Sequence, residues 1–192
     1  MAGELPTFDD QEQLDRLRLI RSSNIGPVTF HQLIQRFGSA SAALEALPEL
    51  ARQGGMSRPP TLFPADKAEK ERKRMRRLGG RHLFHSMPGY PDLLSQIPDA
   101  PPVLCLLGRT QVTDQAVLGI VGSRNSSTNA RRLAHRFATV LSEQGFAIAS
   151  GLARGIDAAA HAGSLESGTI GVVAGGVDVV YPRENEELHR RI

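Results

Sequence analysis

The sequence predicts an α/β protein: a Rossmann-like, mostly parallel sheet flanked by helices and preceded by a small all-α module. Three observations predict it. Apolar residues recur at helical spacing between Leu14 and Leu47, short apolar runs alternate with amphipathic stretches beyond Pro102, and glycine-rich turns follow those runs. The 192 residues, 40% of them hydrophobic, suffice for one large or two small packed domains.

In the first part, Leu14, Leu17 and Ile20 and then Leu33, Ile34 and Phe37 fall on helical faces, separated by the turn Ser22-Ser23-Asn24-Ile25-Gly26-Pro27. This reads as helix, hairpin turn, helix. Gly38 ends the second helix, Ser39 or Ser41 caps a third, and Ala42–Leu47 form its body before Pro48. The segment Gln53–Pro64, with Gly54, Gly55, Pro59, Pro60 and Pro64, reads as loop. A helix is expected over Ala65–Leu78, where Lys67, Lys70, Arg72, Lys73, Arg74, Arg76 and Arg77 leave few apolar positions to bury. Asp66, Glu69 and Glu71 partly neutralise it, so a solvated face is the expected role and a DNA contact the alternative. Gly79-Gly80 marks the expected boundary between a module at 1–78 and a domain at 79–192.

The second part carries strand-like runs at Val117–Val121, Phe146–Ala149 and Ile170–Ala174. A helix is expected over Ser127–Gln144, with Ala130, Leu133, Ala134, Phe137, Val140 and Leu141 on its apolar face and Gly145 ending it. An alanine-rich helix is expected over Gly155–Ser167. The order βαβαβ, with right-handed crossovers, gives a parallel sheet.

Doubly wound sheets place ligands at the carboxyl ends of their strands, and three loops fall there: Gly122-Ser123-Arg124, Ser150-Gly151-Leu152-Ala153-Arg154-Gly155 and Gly175-Gly176. The glycines admit close approach of backbone N–H groups to an anion, and the helix starts beyond them add positive dipole ends. Arg124, Arg154 and, after Tyr181-Pro182, Arg183 complete a polyanion site. The competing reading pairs Arg154 or Arg183 with Asp157, Asp178 or Glu184 merely to hold loops. The first loop lacks GxGxxG, and Ser150-Gly151 stands where NAD sites carry Asp or Glu, so NAD is disfavoured and no cofactor is expected. Arg154 leaves NADP or a nucleotide open.

The net charge of +3 permits an anionic partner without requiring one. The basic residues of 101–192 are all arginine, which suits bidentate phosphate contacts or else reflects codon bias. No HExxH, GxSxG, CxxC or GxxxxGK[ST] occurs. Asp157 and His161, four apart, form a conceivable acid/base pair, though a helix-start carboxylate beside a packing histidine is the commoner arrangement. His82 and His85 lack metal-ligand companions in sequence, and no metal is expected. The one cysteine, Cys105, reads as a buried strand residue and excludes a disulfide framework. With no membrane-length apolar run and a polar N-terminus, a cytoplasmic location is expected.

Gly122-Ser123-Arg124, Ser150-Gly-Leu-Ala-Arg-Gly-Ile-Asp157 with Ala159-Ala160-His161, and Gly175-Gly-Val-Asp-Val-Val-Tyr-Pro-Arg-Glu-Asn185 together resemble the DprA/Smf family of DNA-processing proteins. Tyr90-Pro91 through Pro101-Pro102-Val103-Leu104 and Gly108 resemble the lead-in of its main domain, and Ile25-Gly26-Pro27 its SAM-like, helix-hairpin-helix module. The resemblance implies a non-catalytic protein that binds and protects incoming single-stranded DNA in natural transformation and assists loading of a RecA-type recombinase. It implies a phosphate-binding turn at Gly122, Ser123 and Arg124. It also implies further sheet, and often another helical domain, beyond Ile192, bearing much of the homodimer and recombinase contacts. The competing enzyme reading is a LOG-like nucleotide phosphoribohydrolase, whose GGGxxGxMG-type loop is not reproduced here.

Overall fold

Asp9 starts the first helix by accepting the N–H of Glu12 at 2.7 Å. In the computed structural model, which describes residues 7–53, 60–109, 112 and 115–192, this helix α1 spans Asp10–Arg21. Pro27 occupies the first turn of α2 (Pro27–Phe37), and Gly38, at φ +80°, closes it in the left-handed conformation. Helix α3 (Ala40–Gln53) has its first amide held by both carboxylate oxygens of Glu12, each at 3.2 Å.

α3 runs through Pro48 instead of ending before it. Proline there removes one N–H from the helix, but Leu44, Leu47 and Ala51 stay buried on one face, and that burial outweighs the lost bond. The core of this module joins Leu19, Ile25, Phe30, Leu33, Ala40, Ala43, Leu44 and Leu47. Positions 54–59 of the expected loop lie outside the described residues.

Helix α4 (Ala65–Arg77) buries Ala68, Met75 and, against its charge pattern, Arg72. The Arg72 guanidinium donates to the carbonyl and carboxylate of Asp10 at 3.0 and 2.7 Å. Lys70 pairs with Asp66, Lys73 with Glu69 and Arg76 with Asp10. Arg72 is therefore spent within the fold, while Lys70, Lys73 and Arg76 remain exposed beside carboxylates.

Strand β1 (Arg81–Phe84) pairs antiparallel with β2 (Val103–Leu106), placing His82 opposite Cys105. β1 escapes a sequence reading because it is four residues long and opens on Arg-His. Phe84, 1% exposed, packs with Leu17 and Ala68, so this ladder belongs to the helical unit. The chain accordingly divides into compact units at 1–106 and 107–192, later than the 78/79 division expected from the sequence. The pairing also corrects the reading of His82: the ladder and α4 bring Glu71, His82 and Cys105 together, with donor atoms within 4.8 Å of one another.

The second unit contains β3 (Val117–Gly119), α6 (Thr128–Glu143), β4 (Ala147–Ser150), α7 (Ile156–Ser164) and β5 (Thr169–Gly171), and ends in α8 (Glu186–Arg191). A short helix α5 (Asp92–Ser95) precedes β2. The sheet is parallel in the order β3-β4-β5. Ser127 caps α6 by accepting from Ala130 N. The apolar face expected of α6 is only partly the buried one: Ala134, Ala138 and Ser142 are buried, while Leu133 and Phe137 are 55% exposed and Val140 48%. Close approach of α7 explains this. A Cβ at Gly163 would lie 2.3 Å from the His135 carbonyl, and Thr139 donates to the Gly163 carbonyl at 2.9 Å. Only small α6 side chains fit such a seam. Among the described residues, no helix is long and apolar enough to cross a membrane.

A candidate nucleic-acid interface

Each strand of the parallel sheet delivers a loop to the same edge. The first two are locked together. The Ile156 N–H donates to the Ser123 carbonyl at 3.3 Å, and the Ser150 hydroxyl donates to the Ile120 carbonyl at 2.6 Å. Gly155, at φ +77°, lies where a Cβ would meet the Ser123 carbonyl at 2.3 Å, so only glycine lets α7 start against the first loop. A Cβ at Gly122 would likewise strike the Ile156 side chain at 2.7 Å.

This interlock leaves polar groups facing outward. Among the described residues, the amides of Gly122, Ser123 and Arg124 have no backbone acceptor. Arg124 is exposed and makes no ion pair with a described residue, and the same holds for Arg183. Arg154 pairs with Glu184 at 3.3 Å, with both side chains 55% exposed. An exposed pair of this kind contributes about 0–1 kcal/mol, so a phosphate can displace the glutamate.

Arg124, Asn125, Ala153, Arg154, Tyr181 and Pro182 line one open pocket of about 200 Å³. The structure thus brings Arg124 and Arg154 together. Gly175, Gly176 and Arg183 are exposed but do not line that pocket. Ser150 is only 3% exposed with its hydroxyl committed, so it fixes the loop and cannot offer that hydroxyl to a ligand. Asn185 is a positioning residue that residue chemistry alone does not reveal. Its amide donates to the carbonyls of Leu152 and Ala153 at 2.8 and 3.1 Å, holding Leu152 at φ +57°.

The Asp157/His161 pair is buried behind the loops. His161 is 0% exposed, with Nδ1 2.7 Å from Thr169 Oγ1, whose own proton goes to the Ile148 carbonyl at 3.1 Å. Burial pushes the imidazole down to about 4, against the pull of Asp157. A neutral ring with no exposed surface cannot exchange protons with a ligand at the loop edge.

Comparison with known proteins gives matches over both parts of the chain. The family described as DNA recombination-mediator protein A matches residues 81–192, and the DprA-like N-terminal HHH domain matches residues 10–73. Protein Smf of Synechocystis is 40% identical over 111 residues, covering 55% of this chain and 28% of that protein. The crystal structure of DNA processing protein A from Streptococcus pneumoniae superposes with a TM-score of 0.70 at 22% identity, covering 96% of this chain and 64% of that one. A second structure, of DNA processing protein A from Helicobacter pylori, described for its single-stranded DNA binding mode, superposes with a TM-score of 0.51 at 25% identity. It covers 57% of this chain and 49% of that one. The chain therefore spans well under half of the Smf relative and no more than about two thirds of either solved protein. None of the three is named for a catalysed reaction. With a family match over more than half its length, a second over the helical module, and the fold of a solved member, the chain belongs to the DprA/Smf family of DNA recombination-mediator proteins.

Proposed function

We propose that the chain is a non-catalytic single-stranded DNA binder that holds the strand by its phosphates along the carboxyl edge of the β3-β4-β5 sheet. The observation that carries this reading is the exposed Arg124 guanidinium beside acceptor-free amides, facing Arg154 across one pocket. Gly122, Ser123 and Arg124 take one phosphate, Gly151 and Arg154 flank it, and Gly175, Gly176 and Arg183 extend the edge toward neighbouring phosphates. Ser150 acts through the loop it ties. The relative from Helicobacter pylori, named for single-stranded DNA binding, supports the choice of ligand.

In the cell, the same reading makes it a cytoplasmic protein that protects incoming DNA in natural transformation and assists loading of a RecA-type recombinase. A homodimer would form through family segments beyond those described. The family matches at 10–73 and 81–192 support a modular division at 78/79 in sequence, the β1–β2 ladder falling within the second match while packing into the helical unit.

The test is Arg124→Ala with a labelled single-stranded oligonucleotide. Loss of a charged donor to phosphate costs about 1.5–3 kcal/mol, or roughly tenfold to a hundredfold in affinity. The melting temperature stays near that of the parent, because the side chain is exposed. Parent-like binding by Arg124→Ala would place the strand elsewhere. Turnover of a nucleoside monophosphate would revive the phosphoribohydrolase reading.

A further inference from the structure

The cluster Glu71, His82 and Cys105 lies in the first unit, and three elements build it. His82 and Cys105 are direct cross-strand partners in the β1–β2 ladder, so their side chains stand side by side on one face. Helix α4 lays Glu71 over them, and Arg21 of α1 grips that carboxylate at 2.8 Å to Oε1 and 3.2 Å to Oε2. The His82 side chain is only 7% exposed. Its Nε2 is buried without a hydrogen-bond partner and stands 3.5 Å from Glu71 Oε1.

A buried imidazole nitrogen left unsatisfied between a thiol and a carboxylate is costly unless something fills the gap. We propose that Glu71, His82 and Cys105 bind a borderline divalent transition-metal ion of the zinc type, fastening helix α4 to the β1–β2 ladder.

The donor set selects the metal. A thiolate and an imidazole reject Mg²⁺ and Ca²⁺, which take oxygen ligands, and suit zinc with one carboxylate. Tetrahedral zinc, with bonds of about 2.0–2.3 Å, sets donors roughly 3.3–3.8 Å apart. The three donors here lie within 4.8 Å of one another, so closing the widest separation by at most about 1.0–1.5 Å completes the site. A thiolate and a carboxylate neutralise the ion, and water takes the fourth position. Arg21 becomes the hydrogen-bonding partner that orients the ligating carboxylate. Binding displaces the thiol proton and any proton carried by the ligating imidazole nitrogen.

The full 192-residue chain, stripped with chelator under reducing conditions, is titrated with Co²⁺ and then Zn²⁺. Cys105 is the single cysteine, so a thiolate-to-cobalt charge-transfer band can arise from it alone. One equivalent of Co²⁺ should raise that band together with intense tetrahedral visible bands, and Zn²⁺ should abolish both. Cys105→Ser removes the charge-transfer band. His82→Gln and Glu71→Gln weaken Co²⁺ binding by more than about tenfold, while His135→Gln, on the exposed side of α6, leaves it unchanged. Zinc should also protect Cys105 of the unmodified protein from alkylation and raise its melting temperature, readouts that need no variant to fold. Absence of the band, parent-like binding by His82→Gln, or alkylation indifferent to zinc would overturn the proposal and leave the cluster as an ion-pair network.

Discussion

At the scale of the residue, His161 and Arg124 show what spacing reveals and what only folding decides. The four-residue spacing of Asp157 and His161 is visible in the sequence, but so is that of any pair on one helix face. The bond to Thr169, which removes His161 from solvent, depends on a strand that follows α7. The consequence is measurable. Because burial holds the folded imidazole at about 4, below its ordinary 6.5, the unfolded chain takes a proton that the folded chain refuses between those values. Stability from this group is fully present above pH 6.5 and is lost as the pH falls toward 4. NMR should show a His161 ring that stays neutral through pH 6.5, and thermal stability should decline from pH 6.5 to 4 less steeply in His161→Gln. A His161 ring titrating near its ordinary value would contradict the buried assignment. Arg124 is simpler: a strand, a glycine turn and a helix start leave its side chain nowhere to go but outward. Arg154 has the same local chemistry, and of the partners the sequence offers it, Asp157, Asp178 and Glu184, the return of the chain past Tyr181 brings Glu184 to it.

The elements were legible where periodicity was strong and unreadable where packing overrode it. Strands β3 and β4 and helices α1, α2, α6 and α7 lie where apolar spacing and caps place them, whereas β5 ends at Gly171, short of the expected Ala174. α3 outlasts Pro48 because core burial continues past it, and β1 is too short and polar to announce itself. The apolar face of α6 is the most instructive case. Hydrophobicity points to Leu133, Phe137 and Val140, yet the glycine in α7 draws the helices together along alanines. Gly163→Ala should therefore destabilise the protein. The helix-propensity gain of about 1 kcal/mol is smaller than overpacking against a backbone carbonyl, which costs about 1–3 kcal/mol or more. Phe137→Ser, on the exposed stripe, should cost less than about 1 kcal/mol. Urea denaturation checks both. A neutral Gly163→Ala, or a large loss for Phe137→Ser, would mean that the seam between α6 and α7 is wrongly drawn.

For the whole molecule, the net charge of +3 conveys little, and the placement of charge conveys more. Of the basic stretch of α4, Arg72 is buried against Asp10 and Lys70, Lys73 and Arg76 sit beside carboxylates in exposed pairs, whereas Arg124 and Arg183 pair with no described residue and Arg154 sits in an exposed pair with Glu184. The partners that Asp66 and Glu69 supply within α4 are visible in the sequence, whereas the hold of Asp10, at the start of α1, on Arg72 and Arg76 is not. If phosphate contacts dominate, each basic residue that neutralises a phosphate adds to the salt dependence of binding, whatever the base sequence. The most direct measurement is therefore the slope of log affinity against log salt for a single-stranded oligonucleotide, compared among the parent, Arg124→Ala and Arg76→Ala. The phosphate-edge account predicts a steep slope for the parent, insensitive to base sequence, reduced by about one in Arg124→Ala and unchanged in Arg76→Ala. A flat parental slope, or a slope that falls in Arg76→Ala and not in Arg124→Ala, would contradict it.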